Sequence, residues 1–98
     1  MSSSTRSVFI ESRQYNDKIN WYFSNRLWVN GHVVAIMPIE FGYDTQFMHR
    51  GIERLIELGY LSDDQSNAYA IRTSGVDLYT SESVVPKRKL FTSDMLPN

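Results

Sequence analysis

Hydrophobic positions along the chain follow two different spacings. Between Asp44 and Leu58, Phe47, Met48, Ile52, Leu55, Ile56 and Leu58 recur at steps of three and four. That spacing puts them on one stripe of a 3.6-residue helix. Asp44 or Thr45 can accept a hydrogen bond from the first free N–H groups. Gly59 suits the left-handed position just past the last turn, and Tyr60 would then contact Leu55. A helix of this length is marginal alone in water, so it needs a sheet to lie on.

Shorter apolar runs supply the strands. Val8-Phe9-Ile10 reads as a short first strand, and Tyr15-Asn16-Asp17-Lys18 has turn chemistry. Ile19–Val29 and His32–Ile39 flank Asn30-Gly31, a strong hairpin signal because a type I′ turn needs positive φ at both central residues. The two-residue loop predicts a register in which Trp28 faces Val33, Leu27 faces Val34, Arg26 faces Ala35 and Asn25 faces Ile36. One face would then carry Trp21, Phe23, Leu27, Val34 and Ile36. The other would carry Tyr22, Trp28, Val33, Met37 and Ile39. Both faces are apolar, so one should meet the helix and the other the C-terminal half or a partner. Pro38 cannot donate to a ladder, and pairing should weaken there.

Past the helix, Ser62–Asn67 reads as a polar loop, Ala68–Arg72 as a strand, Thr73-Ser74-Gly75 as a turn and Val76–Thr80 as a further strand. Pro86 should end pairing after Val84-Val85, and Leu90-Phe91 offers a last apolar anchor. The pattern predicts an α+β fold: an antiparallel sheet of about four to five strands with one main helix, about 44–58, packed on one face. The chain of 98 residues reads as a single domain over 1–98, with loose ends at about 1–6 and 93–98.

Composition sharpens the exclusions. The net charge of −1 gives no global pull toward nucleic acid or anionic lipid. Residues 51–82 hold six acidic against two basic side chains, and Lys87-Arg88-Lys89 then form a short basic run. Cysteine is absent, which excludes thiolate chemistry and favours a reducing, cytoplasmic setting. No apolar run approaches the ~20 residues that span a bilayer, and the N-terminus lacks the apolar core of a secretory signal. His32 and His49 have no metal-ligand spacing, so no metal or other cofactor is expected. There is no G-x-S-x-G elbow and no phosphate-binding glycine loop, so no enzyme motif stands out.

The run 48–78 resembles the second half of winged-helix regulators, in its helix, Leu58-Gly-Tyr-Leu, polar loop and Tyr69–Leu78 order. That resemblance implies nucleic-acid binding. The half before it reads instead as a strand hairpin, and the exposed helix positions His49, Arg50, Glu53, Arg54 and Glu57 are mixed in sign. The leading expectation is a small protein-binding module, an inhibitor or adaptor of the kind phages and mobile elements encode, compatible also with a homodimer. Its expected contact residues are Tyr22, Arg26, Trp28, Val33 and Met37, since aromatics, Met and Arg are enriched at interfaces. An alternative acidic surface comprises Glu53, Glu57, Asp63, Asp64 and Asp77.

Overall fold

The computed structural model describes residues 5–42, 45–92 and 95. Four strands, β1 (Ser7–Asn16), β2 (Trp21–Val29), β3 (His32–Phe41) and β4 (Asp77–Val84), form one sheet in the order β3-β2-β1-β4. The α-helices among the described residues are α1 (Gln46–Glu57) and α2 (Ala68–Thr73). The architecture is α+β, as the pattern predicts. The sheet is mostly antiparallel, but β4 runs parallel to β1.

β1 is longer than the three residues expected of it, because it is paired on both sides. Val8, Ile10 and Ser12 point into the core while Phe9, Glu11 and Arg13 alternate to the other face. The Asn30-Gly31 turn takes the expected form, with φ of 51° and 83°. Asn30 also ties down the chain start: its Oδ1 accepts from the backbone N–H of Arg6 at 2.7 Å and of Ser7 at 3.1 Å. Thr5 Oγ1 donates to the Tyr60 carbonyl at 2.7 Å. Thr5 and Arg6 are therefore fastened rather than loose; residues 1–4, 93–94 and 96–98 of the expected loose ends lie outside the described residues.

The hairpin register departs from expectation one step past the turn. Trp28 pairs with Val33, but Leu27 then pairs with Ala35, Arg26 with Ile36 and Asn25 with Met37. Val34 is the extra residue of a bulge, and the β3 side chains from Ala35 to Met37 change face. A second irregularity falls at Pro38-Ile39, where a ladder donor is missing, and brings Glu40 opposite Phe23.

α1 lies across the sheet with Phe47, Gly51, Ile52 and Leu55 buried. Gly51 allows the close approach: a Cβ there would sit 3.0 Å from two carbons of Ile10. Leu58, expected in the stripe, is instead 38 % exposed. Thr45 occupies the helix start without a side-chain capping bond. Asp44 lies outside the described residues. The far end closes as expected, with Gly59 at φ 86° and the Tyr60 N–H donating to the Leu55 carbonyl at 2.9 Å.

Residues 68–73 are helix, not strand. Asn67 Oδ1 accepts from the Ala70 N–H at 2.8 Å, Ile71 enters the core, and the Val76 N–H returns to the Ile71 carbonyl. Thr73–Gly75 turns the chain at the end of α2, as expected, with Gly75 at φ 91°. Both helices sit on the face that carries Val8, Ile10, Leu27 and Leu78. The molecule measures 44 × 30 × 18 Å, and its shortest dimension holds a sheet and one layer of helix about 10–12 Å across. Among the described residues no α-helix lies over the opposite sheet face.

Candidate functional site

The open face is built by strand alternation. β1 presents Phe9, Glu11 and Arg13 there, β2 presents Arg26 and Trp28, and β4 presents Tyr79. Phe9 is the cross-strand partner of both Trp28 and Tyr79. With Ser7 and Gly31 these three rings line an open groove of about 470 Å³. The Phe9 and Trp28 rings lie 6.2 Å apart, inclined at 35°, and Tyr79 is 56 % exposed.

Trp28 is held in place by Glu11. One carboxylate oxygen accepts from the Trp28 indole N–H at 3.1 Å and from Arg26 Nε at 2.8 Å. Arg26 also stacks over the indole, 5.3 Å from its centre. Partial burial pushes the Glu11 carboxyl up. The hydrogen bonds from Arg26 and Trp28, with the charges of Arg26 and Arg13, outweigh it and hold the group below the ordinary glutamate range. The indole N–H is thus satisfied, and a partner meeting the ring need only cover its apolar surface.

The C-terminal segment covers the middle of this face, as the Leu90-Phe91 anchor suggests. Phe91 is buried, its N–H donates to Ser24 Oγ at 2.7 Å, and both Arg13 and Arg26 stack on its ring at 4.3 and 4.8 Å. Among the described residues the groove is lined by neither Leu90 nor Phe91, and it lies at the end of the sheet beside the Asn30-Gly31 turn.

The expected contact residues are only partly brought together. Trp28, Arg26 and Val33 share one region of the open face. Tyr22 is on the same face but six residues along β2, about 20 Å away, where it packs with Tyr15 and Phe41. Met37 is a correction: the bulge at Val34 turns it into the core, where it is 6 % exposed and lies beside Asn25. Phe9, Tyr79 and Glu11 belong to the site and were not anticipated. The available signal was the alternation of Val8 and Ile10 with Phe9 and Glu11.

The alternative acidic set does not form one surface. Glu53 pairs with Arg50 at 2.6 Å and Glu57 with Arg54 at 3.3 Å. Asp63 and Asp64 lie in a 3₁₀ turn on the helix side, while Asp77 alternates to the open face with Tyr79. A cleft of about 270 Å³ between α1 and β3 is lined by Glu40, Arg50, Glu53, Arg54 and Glu57. Arg50 bridges Glu40 and Glu53 there, so the cleft's charges are largely matched internally. Among the described residues no three His, Cys, Asp or Glu side chains gather to hold a metal ion, and no helix is long and apolar enough to cross a membrane. Comparison with family models, with curated proteins and with solved structures finds no significant match for this chain.

Proposed function

We propose that the chain is a non-enzymatic protein-binding module, an inhibitor or adaptor in a reducing, cytoplasmic setting, that docks its partner on the Phe9–Trp28–Tyr79 groove. The observation that carries this reading is the fixed indole of Trp28, bonded through its N–H to Glu11 and open on the groove side. Large rigid aromatics anchor interfaces because they bury much area while losing little side-chain freedom. An apolar groove at the surface is also one that water disfavours. Part of the wider face is already covered by Phe91, which narrows the docking surface to its uncovered end.

Capture from a lysate tests the reading. Immobilised parent chain should retain one protein in stoichiometric amount, and Trp28→Ala should lose it by more than ~2 kcal/mol in affinity while keeping its circular dichroism. Equal capture by parent and a folded Trp28→Ala variant would contradict the assignment.

A further inference from the structure

The open face carries a second feature joined to the groove. From Trp28 the contacts run to Arg26, from Arg26 to the Phe91 ring, and from that ring to Arg13. Arg13 Nη1 in turn donates to the Lys89 carbonyl at 2.8 Å, inside the 3₁₀ turn Lys87–Lys89. A strip of cations therefore leads from the aromatic groove to an exposed basic run. Arg13, Arg26, Lys87, Arg88 and Lys89 stand on this side against Glu11 and Asp77. The helix side is the reverse, with Glu40, Glu53, Glu57, Asp63, Asp64 and Glu82 against Arg50, Arg54 and Arg72. A net charge of −1 hides this division.

Resting on the groove as the docking site, we infer that its partner is an acidic protein segment carrying one bulky apolar residue. The apolar residue fills the groove and the carboxylates meet Arg13 and Lys87–Lys89. Phe9 and Arg13 are four positions apart on β1, so groove and cations are separated by about 13 Å. An extended partner strand places its apolar residue and its first carboxylate about four residues apart. A single-stranded nucleic acid fits less well. Its phosphates recur at every nucleotide, whereas the groove end of the strip carries the Glu11 and Asp77 carboxylates and the cations gather at the other end. A second copy of the chain would offer the acidic helix side, but there Glu53 and Glu57 are already paired with arginines.

The test follows the Trp28 indole N–H by NMR. The probes are the peptide Phe-Ser-Gly-Ser-Glu-Asp-Glu, a version with Gln for its acids, a version with Ser for its Phe, and an oligothymidylate. The acidic Phe peptide should move the indole signal and bind at least about tenfold more tightly than either altered version. The double variant Lys87→Glu/Arg88→Glu, exposed and outside the groove, should erase the advantage of the acidic peptide while leaving the Gln version unchanged. Equal binding of the acidic and Gln versions would overturn the acidic partner and leave the groove standing. Tighter binding of oligothymidylate than of any peptide, a concentration-dependent indole shift with no probe added, or no shift with any peptide would each overturn the inference. The lysate capture reads the groove independently of these outcomes.

Discussion

At the scale of single residues, Glu11 connects the electrostatics of the open face to its geometry. The carboxylate holds an indole N–H and a guanidinium at one oxygen, so its protonation releases both. Its folded pKa lies below the ordinary value. The stabilisation it contributes is therefore present above the unfolded pKa and is lost as pH falls through the folded one. The Trp28 indole signal should titrate with a midpoint below the ordinary glutamate range, and Glu11→Gln should abolish that titration. A midpoint at or above the ordinary range would mean the bond to Trp28 is not held. Little of this was legible in sequence. Val33-Val34-Ala35-Ile36-Met37 is apolar without a break, so no alternation marked Val34 as the bulged residue. The misplacement of Met37 followed from that run, since one inserted residue exchanges the two faces. Trp28 lies before the bulge, and its expected face is the observed one.

At the scale of elements, the features read correctly are those that local chemistry specifies. Asn30-Gly31 and Gly59 both adopt the positive φ that their positions demand. A Cβ at Gly59 would meet nothing within 4 Å, so the cost of Gly59→Ala is purely one of backbone conformation. That substitution should lower stability by about 1 kcal/mol without altering the fold. Chemical denaturation measures it directly, and an unchanged midpoint would place the helix end elsewhere. The errors have local and non-local origins. Ala68–Arg72 is too short for its periodicity to separate strand from helix, and the deciding signal was Asn67 as a cap with Ile71 and Val76 in register. The parallel pairing of β4 with β1 joins residues some seventy positions apart. No local pattern encodes it.

At the scale of the whole molecule, the account turns on an asymmetry between the two sides of the sheet. Both α-helices and most of the acidic side chains named above occupy one side. The other carries a C-terminal segment, a cation strip and an uncovered aromatic groove. The sequence made it legible that one helix could not hide both faces of the hairpin. It did not show which part of the second face Phe91 would cover, because that depends on Ser24, Arg13 and Arg26 converging from separate strands. The central claim is that Trp28 is rigid yet accessible in the free chain. Acrylamide quenching of Trp28 emission in a Trp21→Phe variant tests this most directly, since that variant leaves Trp28 as the one tryptophan. The account predicts emission that acrylamide quenches in the free chain. Emission shielded from acrylamide in the folded chain, as from a closed core, would contradict it.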